Sequence, residues 1–143
     1  MDYTKKNFET KAIHVGQPPD GTTGAIMVPI TLATTYVQES PGVHKGYDYS
    51  RADNPTREAY ERCLASLENS KFGYAFASGC AASTTIIMML KSGDHVICSD
   101  DVYGGTFRLF DKVIQDKGIQ FDYVDLTKIE DLKSKIKSNT KFF

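Results

Sequence analysis

Ser78-Gly79-Cys80 closes one apolar run (Tyr74, Ala75, Phe76, Ala77) and opens another that reaches Ile86, Ile87, Met88, Met89 and Leu90. The pattern predicts a buried strand, a tight turn and a buried helix whose first turn is nearly bare of side chains. Gly79, Ala81 and Ala82 leave that helix end open, while Ser78 and Ser83 set hydroxyls beside N–H groups that lack intrahelical acceptors. Such an end attracts an anion, because unsatisfied donors and the helix dipole converge on one spot.

Two further groups could complete a site. The apolar strand His95-Val96-Ile97-Cys98 runs into Ser99-Asp100-Asp101-Val102-Tyr103-Gly104-Gly105. In a parallel α/β sheet, ligands bind at the carboxyl ends of strands. An anion cup and an aromatic plate, Tyr103, therefore fall on one rim, which suits a planar phosphorylated ligand. Gly46 to Arg51 adds Tyr49 and Arg51, both able to hydrogen-bond phosphate, the arginine with two parallel bonds. Taken singly, each has a plainer reading: a turn, a packing tyrosine, a solvated loop. No GxGxxG follows a strand and no GxxxxGK[ST] occurs, so the common dinucleotide and nucleotide fingerprints do not compete.

The elements that must position these residues come from the rest of the chain. From Asn54 the pattern is regular. Asn54-Pro55-Thr56 opens a helix to about Leu67, followed by the Tyr74–Ala77 strand and a helix from Gly79 to Lys91. Next come the His95–Cys98 strand, a helix from Gly104 to about Lys117, a strand from Ile119 to Val124 and a basic helix to about Lys137. Lys141-Phe142-Phe143 reads as the opening of a fourth strand. Alternating strands and helices predict an α/β fold with a parallel sheet and crossover helices. A sheet that stops in mid-strand predicts a chain cut short. Residues 1–54 show no sustained helical period and hold Pro18, Pro19, Pro29 and Pro41. They are too apolar for a free tail and too long for a loop, so an arm packing on another subunit is expected.

Composition excludes other classes. The 143 residues fit one domain, and 41% hydrophobic with 24% charged content is ordinary for a soluble globular protein. A net charge of −1 gives no reason to expect nucleic acid or an anionic membrane as partner. No apolar run is long enough to span a bilayer and the N-terminus lacks a secretion signal, so a cytoplasmic location is expected. Cys63, Cys80 and Cys98 form no CxxC pair, and His14, His44 and His95 have no second ligand at metal spacing. Reduced thiols, structural histidines and no metal are the expectation.

Three motifs in order carry a resemblance: Tyr49-Ser50-Arg51 with Asn54-Pro55-Thr56, then Phe76-Ala77-Ser78-Gly79, then Asp101-Val102-Tyr103-Gly104-Gly105-Thr106. With Ala12-Ile13-His14-Val15-Gly16 and the stretch from Pro29-Ile30 to Tyr36, the chain resembles the pyridoxal-phosphate enzymes of cysteine and methionine metabolism. The cystathionine γ-lyase, γ-synthase and methionine γ-lyase group is meant, and the likeness covers nearly the whole chain. It implies the N-terminal part of a fold-type I (aspartate-aminotransferase-like) enzyme. Residues 1–54 would be the arm that contacts another subunit and completes its site. Residues 55–143 would be the first part of the large cofactor-binding domain.

The resemblance also implies roles. Ser78, Gly79 and Cys80 would cup the phosphate of pyridoxal 5'-phosphate through backbone N–H groups. Tyr103 would stack on the pyridine ring and assist proton transfer, as the catalytic residue. Tyr49 and Arg51 would reach the phosphate in the neighbouring subunit, and Arg108 would bind substrate. Family members often have leucine or methionine where Cys80 stands, a change of little weight if the backbone makes the contact. The expected partners are a small amino-acid substrate and copies of the same chain, in a tetramer built of dimers. The implied activity is a transsulfuration carbon–sulfur lyase, first of all cystathionine γ-lyase, releasing cysteine, 2-oxobutanoate and ammonia. Cystathionine γ-synthase and methionine γ-lyase are the alternatives.

The Schiff-base lysine of the family would fall beyond this chain. The lysines present lie mainly in the arm, on exposed-looking helices or at helix ends, and the cluster Lys133, Lys135 and Lys137 reads as a solvated helix face. A fragment inactive alone is therefore expected, and a non-catalytic fragment binding cofactor phosphate or full-length subunits is the rival of another class.

Overall fold

The computed structural model describes residue 3 and residues 5–143, so residues 1, 2 and 4 of the expected arm lie outside the described residues. The chain divides after Ala75 into two compact units, each with its own packing.

In the first unit α2 (Pro55–Leu67) begins where the sequence places it. Asn54 stays extended and its side chain accepts the N–H groups of Thr56 and Arg57 at 2.9 and 3.4 Å. Pro55 at the first helical position has no N–H to leave unsatisfied. The segment before α2 is more regular than expected. It contains α1 (Phe8–His14) and an antiparallel pair, β1 (Gln38–Ser40) with β2 (Val43–His44). A single antiparallel bridge also joins Thr35 to Tyr49, flanked by Tyr36 N–H to Asp48 O and Ser50 N–H to Thr34 O.

At seven residues α1 is too short to display a helical period, and helices of that length owe their stability to packing. Lys11 Nζ reaches Ser66 O and Asn69 Oδ1, each at 3.1 Å, tying α1 to the end of α2. Gly16 follows with φ +80°, and a Cβ there would lie 2.2 Å from Ala59 O. Only glycine fits that approach.

The second unit is the parallel α/β layer. Its elements are α3 (Gly79–Ile87), β3 (His95–Ser99), α4 (Gly104–Leu109), β4 (Gln120–Val124), α5 (Ile129–Lys135) and β5 (Thr140–Phe142). The strands pair in parallel in the order β4-β3-β5, with His95 opposite Gln120 and Ser99 opposite Val124. The central strand buries His95, Val96 and Ile97 in succession, as a strand covered on both faces must. Ile87, Val96, Phe110, Ile114 and Ile119 form the core, with Leu90, Cys98, Leu109, Phe121 and Phe142 packed on it.

Three expectations change. Tyr74–Ala77 is not a strand: its chain joins no ladder, the Ala75 N–H goes to Glu61 Oε1 at 2.8 Å, and Tyr74 is 73% exposed. Apolar character gave that segment its strand reading, but a strand also needs a neighbour. Helix α3 stops at Ile87 instead of Lys91, because Met89 and Leu90 donate three residues back and tighten the last turn. The helix after Gly104 does run to Lys117, but through a π-helical turn at Phe110–Ile114 and a final 3-10 turn, before Gly118 reverses it at φ +81°. The π turn presents both Phe110 and Ile114 to the core, and Phe110 stacks on Phe121 at 4.7 Å.

Candidate functional site

Ser78 turns the chain into α3. Its backbone is extended (φ −160°, ψ 160°), its hydroxyl accepts the Ala81 N–H at 3.1 Å and its carbonyl accepts the Ala82 N–H at 3.1 Å. The Gly79 and Cys80 N–H groups, first and second in the helix, are left without acceptors among the described residues. A Cβ at Gly79 would meet nothing within 4 Å, and Ser78 and Gly79 are exposed. Two free donors, a hydroxyl whose proton is still available and the positive helix end thus face open space. Such an end can accept an anion such as a phosphate.

Tyr103 stands at the start of α4, after β3, where its carbonyl accepts the N–H groups of Thr106 and Phe107. Its ring is 75% exposed and lies over Gly105, where a Cβ would come within 2.5 Å of the ring. Gly105 therefore lets the ring fold back along its own helix. Arg108 is exposed in the last turn of α4 and makes no ion pair among the described residues. Helix α4 packs on α3.

In the first unit Arg51 and Tyr49 come together, the guanidinium carbon 5.1 Å from the ring centroid. Both nitrogen forks of Arg51 remain available to an anion while the ring supports its charge from below. Residues 46–53 form the strap that leads into α2, and Tyr36 and Tyr47 pack within the first unit with ring centroids 5.5 Å apart. The Tyr47 hydroxyl donates to Glu58, which also pairs with Arg62. Burial and that bond push the Tyr47 phenol up to about 12, and the same bond draws the Glu58 carboxyl below its usual range.

Six lysines of the second unit are engaged with carboxylates. Lys112, Lys128, Lys133 and Lys137 pair with Asp111, Asp125, Glu130 and Asp122 at 2.7 to 3.0 Å, and Lys135 and Lys141 reach Asp122 and Asp94 at 4.0 and 3.8 Å. His95 is fully buried between Thr140 Oγ1 (2.8 Å) and Asp122 Oδ2 (3.2 Å), a structural role. The three cysteines are free thiols, and burial pushes the Cys98 thiol up, away from reactivity. Among the described residues no group of three His, Cys, Asp or Glu side chains could hold a metal ion, and no helix is long and apolar enough to cross a membrane.

Sequence reasoning passed over two residues around the strap, Arg57 and Glu61. Arg57 is paired one turn backward with Asp53 (3.6 Å) and one turn forward with Glu61 (3.4 Å). Their i, i+4 spacing was the available signal.

The chain has clear relatives. Residues 9–143 match the family model described as Cys/Met metabolism PLP-dependent enzyme. A probable cystathionine gamma-synthase of Herpetosiphon aurantiacus is 54% identical over 99% of this chain and 43% of its own length. A cystathionine beta-lyase of Coxiella burnetii is 52% identical over 96% of this chain and 36% of its own length. Among solved structures, metB from Corynebacterium glutamicum superposes with a TM-score of 0.91 at 43% identity, over 99% of this chain and 37% of that one. Cystathionine gamma-lyase from Lactobacillus plantarum, complexed with L-serine, gives a TM-score of 0.86 at 46% identity, over 95% of this chain and 35% of that one. The chain thus spans well under half the length of these relatives. It is a member of the pyridoxal-phosphate-dependent enzyme family of cysteine and methionine metabolism.

Proposed function

We propose that the whole protein is a carbon–sulfur lyase acting on cystathionine at its γ-carbon, and that this chain contributes the phosphate seat and the aromatic plate of its site. The observation that carries the reading is the bare start of α3, where the Gly79 and Cys80 N–H groups lack acceptors beside the Ser78 hydroxyl. Pyridoxal phosphate, when bound, supplies the electron sink for bond breaking next to the substrate amine. Ser78, Gly79 and Cys80 would hold its phosphate, and the Tyr103 ring would stack on its pyridine. The Tyr103 hydroxyl would assist proton transfer, and Arg108 would bind the substrate. Tyr49 and Arg51 serve the phosphate of a second copy, through an arm spanning residues 1–54 that joins copies into a tetramer.

The leaving group is the finer part of the proposal. The relatives' names divide among gamma-synthase, beta-lyase and gamma-lyase. The Asp100-Asp101-Val102-Tyr103 and Tyr49-Ser50-Arg51 contexts favour the γ-lyase, with γ-synthase and methionine γ-lyase as alternatives. Incubation of the whole protein with cystathionine tests this: γ-cleavage yields 2-oxobutanoate, whereas β-cleavage yields pyruvate and overturns the assignment.

A non-catalytic role for the 143-residue chain is favoured by one observation, the engagement of six lysines of the second unit with carboxylates. In that reading the Schiff-base lysine belongs to family sequence beyond these residues, and the chain binds cofactor phosphate or full-length subunits. Borohydride reduction of the chain with pyridoxal phosphate separates the two. Reversible, phosphate-competed binding without adduct supports the cup alone, and one stoichiometric lysine adduct refutes it.

A further inference from the structure

Arg57 lies in the first turn of α2, and its guanidinium turns back onto the strap before the helix. Nη1 donates to Ser50 O at 3.3 Å and Nη2 to Ala52 O at 2.7 Å. Those two carbonyls flank Arg51. On its other edge the guanidinium meets Glu61, whose Oε1 lies 3.4 Å from Nε and also accepts the Ala75 N–H at 2.8 Å. Asp53, one turn earlier, lies 3.6 Å from Nη2. The side chain is 31% exposed. Carboxylates on both sides fix the guanidinium plane, and the plane fixes two peptide groups.

Neighbouring bonds act in the same sense. Asn54 Nδ2 donates to Ser50 Oγ at 3.0 Å and to Thr31 O at 3.2 Å, and the Ser50 hydroxyl donates to Ala33 O. Among the described residues Arg51 makes no side-chain hydrogen bond, and its guanidinium rests on the Tyr49 ring. The backbone of Arg51 is held while its charged end stays free. A loop that had to order itself around an anion would lose binding energy to conformational entropy, and a clamp already in place avoids that loss.

We infer that Arg57 is a positioning residue for Arg51 and Tyr49, which it presents to a phosphate by gripping the carbonyls on either side of Arg51. The inference rests on the proposed role of Arg51 and Tyr49 at the cofactor phosphate. Arg57 touches neither cofactor nor substrate. Its effect is confined to the phosphate end of the ligand, which separates positioning from general support of the fold.

The test uses the full chain and compares its affinity for pyridoxal phosphate with that for pyridoxal, which lacks the phosphate. Arg51→Gln is expected to lower the ratio of the two affinities about tenfold, the loss of one charge-assisted contact. Arg57→Gln is expected to lower it by a similar factor with the helical circular dichroism unchanged. Arg57→Lys keeps the charge beside Glu61 but cannot span two carbonyls, so a fall of roughly threefold is expected. If Arg51→Gln lowers the ratio and the Arg57 variants do not, the inference falls alone. A variant that weakens both ligands equally marks Arg57 as a purely structural residue and also overturns it. If the unaltered chain shows no preference for pyridoxal phosphate, or Arg51→Gln leaves the preference intact, the phosphate reading and the inference fall together. Should Arg57→Gln not fold, an unchanged ratio in Arg57→Lys is decisive against it.

Discussion

His95 Nδ1 and Thr140 Oγ1 lie 2.8 Å apart across the β3–β5 ladder, while Nε2 of the same ring faces Asp122 on β4 at 3.2 Å. One buried ring thus joins all three strands. A carboxylate can only accept, so Nε2 carries a proton. Lys137 completes the group through its Nζ at 2.7 Å from Asp122 and its N–H to Thr140 Oγ1 at 2.8 Å.

Asp122→Ala is expected to destabilise the second unit by about 1–3 kcal/mol, because a fully buried imidazole N–H loses its acceptor. The hydrogen bond from Lys137 holds the Asp122 carboxyl below its usual range, with the Lys137 and Lys135 charges adding to it. A carboxyl depressed in the folded state contributes stability above the unfolded value, near 4, and loses it as pH falls through the folded value. Urea denaturation at pH 7 and pH 3 checks this: the gap between the unaltered chain and Asp122→Ala narrows at the lower pH.

The phenol of Tyr47 gives a second pH signature. Raised to about 12 by burial and the Glu58 bond, it favours the neutral phenol in the folded state. Its contribution is complete below pH 10 and disappears as pH rises towards 12. Glu58, depressed by the same bond, contributes above its ordinary carboxylate range and loses that as pH falls. Tyr47→Phe is expected to cost about 1 kcal/mol at neutral pH and to flatten both flanks of the stability profile. Absorbance titration of the phenols should lose a late-titrating component.

At the cup, the backbone and not the side chain is expected to matter. Cys80→Leu should leave pyridoxal-phosphate affinity within about twofold, whereas Gly79→Asp puts a negative charge in the open space above the helix end and should weaken it at least tenfold. A large loss in Cys80→Leu would contradict backbone recognition. Equilibrium titration followed by cofactor absorbance makes the comparison.

Gly16→Ala probes the first unit. The added carbon would collide with Ala59 O at 2.2 Å, in a left-handed backbone that alanine disfavours. A loss of about 2 kcal/mol or more is expected, measured by denaturant midpoint, with binding by the second unit as the control.

The parts of the fold legible in the sequence were those set by local chemistry. Asn54-Pro55 announced α2, Ser78-Gly79 announced α3, and Gly118 closed the helical run through Lys117. Less legible was whatever depended on a neighbour. Tyr74–Ala77 has the residues of a strand but joins no ladder, and α1 is too short to show a period and is held by its contacts with α2, Lys11, Cys63 and Gly16 among them. The same holds for the candidate site. The open, donor-rich start of α3 after Ser78 follows from helix geometry, whereas the assignment of Gly79 and Cys80 to a phosphate comes with the family resemblance. The grip of Arg57 on Ser50 and Ala52 depends on a strap folding back over a helix, and no periodicity encodes it.

The wide turn at Phe110–Ile114 decides where chain length matters near Tyr103. A π turn holds one residue more than an α turn over the same full rotation, so it absorbs an extra residue while the helix on either side keeps its facing. Deleting that residue should restore ordinary pitch and leave the Gly104–Leu109 face where it is. Deleting one from the regular turns of α4 instead should swing the residues before the cut by about 100°. Only the second change would re-aim the Tyr103 ring without mutating it.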